Sequence, residues 1–224
     1  MSSVQVRPFR RDDRDQLTRL VNAHAEAVVP GMSVSVNSVL GSLGRQHAGG
    51  ELPVPGVYGV PEQWPHVATL YQRAGFAHTG HTEIVYLARV QDLPSPAGPP
   101  VPGLEVRRSV GINGCRLSAV LGQEVIGYIE VETLEEGERL SRHGGWADVG
   151  NLHVGPAHRR RGVGSWLLGQ AADWLGLAQV SRLLDYAWLE GADSGGYSYD
   201  DYRAFLPAVG FRELTRTARG WTRE

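Results

Sequence analysis

The stretch that decides the fold joins a strand-like segment to an apolar helix: Leu152-His153-Val154-Gly155-Pro156-Ala157-His158-Arg159-Arg160-Arg161-Gly162-Val163-Gly164-Ser165. We call residues 159–165 the glycine turn. The start of a helix leaves about four backbone N–H groups unpaired and carries partial positive charge. Glycines at 162 and 164 let a bulky anion approach that backbone, and three arginines add charge. The pattern predicts a pyrophosphate cradle.

Two better-known phosphate loops are excluded by the residues themselves. A Walker loop needs Gly-Lys-Ser/Thr, and a dinucleotide fingerprint would need glycine where Leu167 stands. A basic helix start on a solvated surface is the plain alternative. A nucleic-acid interface is a weaker one, because no second basic stretch and no row of stacking aromatics accompanies the arginines.

The stretch and its surroundings resemble the Gcn5-related N-acetyltransferases, the GNAT family, over residues 104–223. The family pattern is a strand ending in valine, then Pro-x-x-Arg-x-x-Gly-x-Gly-x-x-Leu-Leu. The positions that match it are Val154, Pro156, Arg159, Gly162, Gly164, Leu167 and Leu168, joined by Gly127-Tyr128-Ile129 and Gly210-Phe211. The resemblance implies an α/β fold in which helices flank a mixed, mostly antiparallel sheet.

The same resemblance implies the activity and the co-substrate. We expect an acetyl group to pass from acetyl-CoA to a primary amine, on a small molecule or an exposed amino group, by direct attack in a ternary complex. The whole glycine turn, Arg159, Arg160, Arg161, Gly162, Val163, Gly164 and Ser165, is then expected to bind the coenzyme. Backbone groups of Leu152, His153 and Val154 would face the acetyl carbonyl. The competing hypothesis is a catalytically weak acyl-CoA-binding protein.

The distance in sequence between the catalytic residues of the family and its glycine loop indicates candidate catalytic residues in this chain. Histone-modifying members carry a glutamate fourteen positions before the first loop glycine, where this chain has Asp148. Glu130 and Glu132 are alternative bases, although Glu135, Glu136 and Glu138 make that region an acidic run. A general base must accept a proton near neutral pH, and burial of Asp148 near the splayed strand is expected to raise its pKa toward that range. The acidic run is also a weak indication that the acceptor is cationic.

The residue at the position where the family has its proton donor for the thiolate is different in this chain. Many members have tyrosine four positions before the Gly of Gly-Phe, but this chain has Leu206 there. Tyr202 lies one helical turn earlier on the same face and is the candidate substitute. Tyr199 and Tyr197 are further alternatives.

The chain has the pattern of two unequal copies separated by a proline-rich linker. We expect a degenerate half without a coenzyme loop at residues 1–91, a linker at 92–103 and the acetyl-CoA domain at 104–224. Gly75-Phe76 and Gly210-Phe211 are each followed by an aromatic residue eleven positions after the glycine. The first half has helical stretches at 11–28 and 35–43 that the second lacks, so each half is expected to complete the other.

The second half predicts the order β-β-β-β-α-β-α-β, with a strand at residues 146–154, helices at 164–177 and 199–209, and a strand at 183–188 between them. A first strand of the other half is expected at 4–7.

Composition limits the partners. A net charge of −2 gives no general attraction to nucleic acid or anionic membrane, and the single Cys115 excludes an internal disulfide. The polar start of the chain predicts neither a signal peptide nor an anchor. His78 and His81 lack further ligands, so we expect no metal. The expectation is a cytoplasmic protein without nucleic-acid or membrane partners, and a homodimer is one arrangement that the sequence allows.

Overall fold

The computed structural model describes residues 10–28, 33, 35–36, 59–73, 75–95, 98–112, 114–133, 145–189 and 198–222. The helices are α1 (Arg14–Val28), α2 (Pro65–Arg73), α3 (Val163–Leu177) and α4 (Tyr199–Ala208). The predicted strand at 4–7 and most of the predicted helix at 35–43 lie outside this description. Among the described helices, none has the length and apolar character that crossing a membrane requires.

In the described part of the chain, eight strands form one sheet. They are β1 (Val60–Pro61), β2 (Ala77–Arg89), β3 (Leu104–Gly111), β4 (Gly114–Leu121), β5 (Glu124–Thr133), β6 (Trp146–Val154), β7 (Arg182–Trp188) and β8 (Arg212–Thr222). Their spatial order is β1-β8-β2-β7-β6-β5-β4-β3. Every pairing is antiparallel except that of β6 with β7. The predicted mixed, mostly antiparallel α/β sheet is confirmed.

Strand β2 comes from the residues before the proline-rich linker, yet it lies between β7 and β8, which come from residues after it. It pairs with β7 from Glu83↔Trp188 to Arg89↔Arg182 and with β8 along its other edge. The first part of the chain therefore contributes a strand that bridges two strands of the second part. The two parts of the chain therefore share one sheet.

Two apolar layers cover the two faces of the sheet. Helix α3 packs on one face, where Leu167, Leu168 and Leu175 are fully buried together with Leu206 of α4. Burial of each such side chain stabilises the fold by about 1.5–3 kcal/mol. On the other face α1 and α2 cover a cluster that contains Trp64, Trp146, Leu184 and Trp221. Helices α1 and α2 thus lie on the face of the sheet opposite to α3.

Strands β6 and β7 run parallel for only three residue pairs, the last of which is Asp148↔Leu184. Beyond that pair they separate, and we call this point the fork. On its other edge β6 continues to pair with β5, with an irregularity between Val149 and Asn151. The fork opens a gap in the middle of the sheet, next to the start of α3.

Candidate functional site

Two residues of the glycine turn have a positive φ. Gly162 lies in the left-handed region, with φ of 81°, and is the residue before the first turn of α3. No side chain caps that helix start. Arg160 also has a positive φ, 59°, which is unusual for a residue with a side chain. The turn therefore presents backbone N–H groups of the first helical turn without a side-chain acceptor over them.

A cavity of about 290 Å³ opens beside this turn. The end of β6, the glycine turn and α4 together supply its lining residues, which are Leu152, Val154, His158, Arg159, Arg160, Gly162, Val163, Gly164, Ser165, Ser198, Asp201, Tyr202 and Phe205. Of the residues expected to bind the coenzyme, His153 and Arg161 are the two that do not line it. The remaining eight are brought together around one space.

The three arginines of the turn have different surroundings. Arg159 is half-buried, and its Nε donates a hydrogen bond of 2.9 Å to the carbonyl oxygen of Val154, which ties the turn to the end of β6. Arg160 is exposed and forms an ion pair of 2.6 Å with Asp201 of α4. Arg161 is exposed. Arg159 thus shapes the turn, whereas Arg160 can exchange partners at the cavity surface.

Tyr202 lines the cavity from α4 and donates a hydrogen bond of 2.7 Å from its hydroxyl to Oδ2 of Asp185. Ser198 is the N-cap of α4, because its Oγ accepts a hydrogen bond from the backbone N–H of Asp201. Leu206, at the family's usual tyrosine position, is fully buried in the apolar layer. Tyr202 therefore lines the cavity one helical turn before Leu206, the position at which many family members have tyrosine. Tyr199 does not line the cavity, and Tyr197 lies outside the described residues.

Asp148 lies at the fork, on the face of the sheet opposite to Tyr202. Loss of water around its carboxyl raises its pKa from 3.8 to about 7, a hydrogen bond with Tyr186 opposes the rise, and the negative charge of Glu132 adds to it. Glu132 pairs with Asp148 across β5 and β6 and is exposed. A carboxyl group with a pKa near neutrality can accept a proton from an ammonium group and release it again.

Glu130, the other alternative base, is fully buried and already engaged. Its Oε1 accepts from Arg116 at 2.6 Å and from the backbone N–H of Ile112 at 3.2 Å. The guanidinium group of Arg116 also lies 4.2 Å from the centre of the Tyr128 ring. These contacts give Glu130 a structural role. Glu135, Glu136 and Glu138 lie outside the described residues.

Asp185 was not singled out by the sequence. It is the first residue of β7 beyond the fork and is buried. Burial raises the pKa of Asp185 to about 7, the hydrogen bonds from Tyr202 and from the backbone N–H of Tyr186 oppose the rise, and the charge of Asp148 adds to it. One signal could have revealed it, since a carboxylate inside the apolar run Leu183–Ala187 is rarely buried unless it is paired.

Metal ligands do not cluster in the described ranges, where no group of three or more His, Cys, Asp or Glu residues could hold an ion. Nε2 of His78 lies 2.9 Å from the carbonyl oxygen of His81, so that ring is used within the strand.

Part of the chain matches a known protein family. Residues 87–192 match the model of the acetyltransferase (GNAT) family. No curated protein matches the chain.

Several solved structures superpose on part of the chain. A tandem GNAT protein from the clavulanic acid biosynthesis pathway superposes with a TM-score of 0.53 at 15% identity, over 72% of this chain and 59% of its own. A GCN5-related N-acetyltransferase from Sphaerobacter thermophilus gives a TM-score of 0.51 at 15% identity, over 74% and 59%. Another from Kribbella flavida gives 0.48 at 11% identity, over 70% and 63%. This chain therefore spans about three fifths of the length of these proteins.

Proposed function

Because this chain carries a domain of the GNAT acetyltransferase family, we propose that it transfers an acetyl group from acetyl-CoA to a primary amine. The observation that carries the proposal is the cavity that joins the glycine turn to the end of β6 and to a phenol on α4. Acyl transfer needs a donor site, a base and an acid, and residues suited to all three lie around one gap in the sheet. The acceptor is either a small molecule or an exposed amino group.

The glycine turn fits a pyrophosphate group. Anions bind at helix starts because the backbone N–H groups point outward and the helix dipole favours negative charge. Gly162 and Gly164 leave that backbone accessible, and Arg160 at the cavity surface adds a positive charge. With the phosphates held there, the pantetheine arm and thioester would follow the cavity wall along Val154 and Leu152 toward the fork.

Asp148 is the proposed base. An amine is mostly protonated near neutral pH, so attack on the thioester requires that one proton leave first. Its pKa of about 7 keeps a useful fraction of Asp148 ionised at neutral pH while leaving it basic enough to accept that proton. Glu132 lies across the strand pair from Asp148 and would add negative charge that attracts an ammonium group. Glu132 is also the alternative base.

Tyr202 is the proposed acid. Its side chain lines the same cavity that the thioester would enter, and its hydroxyl can protonate the thiolate as the carbon–sulfur bond breaks. Backbone groups of residues 152–154 are proposed to face the acetyl carbonyl, where oxyanion charge develops. The amine attacks directly, so donor and acceptor must be bound together in a ternary complex.

We also propose the division into residues 1–91, a linker at 92–103 and the acetyl-CoA domain at 104–224. Helices α1 and α2 lie on the face of the sheet that carries Asp148 and Tyr186, which makes them the proposed wall of the acceptor cleft. Both helices lie in the first part of the chain. On this proposal the first part contributes acceptor binding and the second contributes coenzyme binding.

The test is a panel of amines assayed for acetyl-CoA-dependent release of free thiol, with acetyl-CoA binding measured in parallel by calorimetry. Small polyamines, amino sugars, amino acids and lysine peptides would cover the main acceptor classes. Thiol release that requires both protein and amine is the expected result. Binding without release for every amine would favour the catalytically weak acyl-CoA-binding protein, and absence of binding would remove the site assignment.

A further inference from the structure

The acid proposed above has a buried partner to which no role has been assigned. Asp185 accepts two hydrogen bonds of 2.7 Å, one from the Tyr202 hydroxyl at Oδ2 and one from the Tyr186 backbone N–H at Oδ1. It has only 3% of its surface exposed. Asp148 on β6 and Tyr86 on β2 are titratable groups near it. The pKa of Tyr86 is raised mainly by burial and next by the charge of Glu213, with Asp185 as the smallest contributor.

The hydrogen bond between Tyr202 and Asp185 has a direction that depends on protonation. When Asp185 is a carboxylate it can only accept, so the hydroxyl proton of Tyr202 points at Asp185 and away from the cavity. When Asp185 is protonated it can donate to the phenol oxygen instead. The hydroxyl proton of Tyr202 is then free to turn toward the cavity, where the thioester sulfur would lie.

We propose that Asp185 is a positioning residue that aims the Tyr202 hydroxyl and supplies it with a proton as that hydroxyl protonates the departing thiolate. The proposal rests on the proposed acetyltransferase function. Tyr202 is the residue that meets the substrate, and Asp185 acts only through it.

The proton balance of the step is complete. As the carbon–sulfur bond breaks, the sulfur keeps the electron pair and takes the hydroxyl proton of Tyr202, giving a free thiol. The O–H bond of the Asp185 carboxyl breaks at the same time, and its proton forms the new O–H bond of Tyr202. Tyr202 stays neutral and Asp185 becomes a carboxylate, which later regains a proton from solvent. No phenolate has to form beside the apolar side chains of Phe205 and Leu152.

The surroundings of Asp185 keep the required proton available. Burial, with a smaller contribution from the negative charge of Asp148, raises the pKa of Asp185 to about 7. The two carboxyls lie on either side of the fork, so ionisation of the proposed base favours retention of the proton by Asp185. The active form then carries one proton on the pair, with Asp148 ionised and Asp185 protonated.

Kinetics give the first test, with kcat measured against pH at saturating amine. The wild-type protein should give a bell-shaped profile centred near pH 7. Asp185→Asn should lower kcat about 10- to 100-fold, abolish the fall on the alkaline side and leave KM for acetyl-CoA unchanged. The same substitution made in Tyr202→Phe should lower kcat no further, because the two residues act as one unit.

Carbon NMR gives a readout that does not depend on turnover. With tyrosine labelled at Cζ, the Tyr202 resonance is the one that Tyr202→Phe removes. It should move in a single step near pH 7 in the wild-type protein, and Asp185→Asn should abolish that step. In the Asp148→Asn variant the step should remain but move to lower pH, because the charge of Asp148 no longer raises the pKa of Asp185.

The outcomes separate the relay from the function on which it rests. A wild-type protein that releases no thiol with any amine overturns both. A wild-type protein that turns over, while Asp185→Asn keeps the alkaline fall and the NMR step, overturns only the relay. If Asp185→Asn does not fold, an alkaline fall that persists in Tyr202→Phe contradicts the relay equally.

Discussion

Arg160 of the glycine turn and Asp201 of α4 form an ion pair of 2.6 Å across the surface of the cavity. Both residues line the cavity, and both side chains are mostly exposed. The pair therefore joins the two walls between which the phosphates of acetyl-CoA are proposed to bind. A phosphate group at the helix start would compete with Asp201 for the guanidinium group.

Asp201→Asn is accordingly expected to strengthen acetyl-CoA binding. An exposed ion pair contributes about 0.2–1 kcal/mol, so the gain should be about 1.4- to fivefold and should shrink as salt is added. Calorimetry at two salt concentrations measures it. Asp200→Asn is the matched control, because it removes a charge from the same helical turn but its partner is Arg203 and it does not line the cavity. Equal affinities for the two variants would show that Arg160 does not meet the phosphates.

Gly162→Val should weaken acetyl-CoA binding by at least about tenfold. A φ of 81° strains any L side chain, and a Cβ atom at this position would lie 3.2 Å from Cβ of Pro100. The turn must then shift by more than binding tolerates, and 1.4 kcal/mol already corresponds to tenfold. Gly122→Val is the control, since its φ of 65° carries similar strain in an open turn with nothing near the added carbon. Unchanged affinity in the Gly162 variant would remove the coenzyme site from the glycine turn.

The sequence predicts those features of the structure that are encoded within a few neighbouring residues. The glycine turn, the strand before it and the helix after it are encoded within a few residues, and β6 has the predicted bounds of Trp146–Val154. Helix α3 begins one residue before its predicted start, at Val163. Tyr202 was found because one helical turn relates it to Leu206.

Contacts between residues that are far apart in the sequence could not be predicted in the same way. The insertion of β2 between β7 and β8 pairs Glu83 with Trp188, more than a hundred positions apart, and no repeat or spacing in the sequence specifies such a partner. Asp185 was missed for a related reason. Its importance comes from a hydrogen bond to Tyr202 on the next helix, which is visible only once β7 and α4 are packed together.

A fragment of residues 101–224 is expected to aggregate or to remain molten. It lacks β2, so β7 and β8 lose the strand that lies between them, and the apolar layer under α3 loses Ile84, Tyr86 and Ala88. Near-ultraviolet circular dichroism and denaturant titration, with the intact chain as reference, measure the loss. Addition of residues 1–100 in trans should restore part of the signal. A fragment that unfolds cooperatively and binds acetyl-CoA with full affinity would contradict the proposal that the two parts complete each other.

Asp148→Asn should lower turnover at neutral pH by about 10²- to 10⁴-fold while leaving acetyl-CoA affinity intact. In the wild-type protein Asp148 is protonated, and so inactive as a base, below its pKa of about 7, which makes the rate rise as the pH increases through that value. The variant should lose this rise. Turnover measured from pH 5 to pH 9 tests it.

The Glu132→Gln variant, with turnover measured over the same pH range, tests the alternative that Glu132 is the base. Glu132 pairs with Asp148 across the strands and contributes to the raised pKa of Asp148. Its removal should therefore shift the acidic limb to lower pH without abolishing it. A Glu132→Gln profile that loses the acidic limb, beside an Asp148→Asn profile that keeps it, would assign the base to Glu132.

The most direct test of the account follows the acetyl carbon itself. Wild-type protein is incubated with acetyl-CoA labelled with ¹³C at the carbonyl and with the amine that gives the most thiol, and the fate of the label is read by NMR. A new amide carbonyl resonance is expected, which grows in step with free thiol and requires both protein and amine. Label that stays in the thioester, or appears only as acetate at a rate independent of the amine, would contradict the claim that this chain acetylates amines.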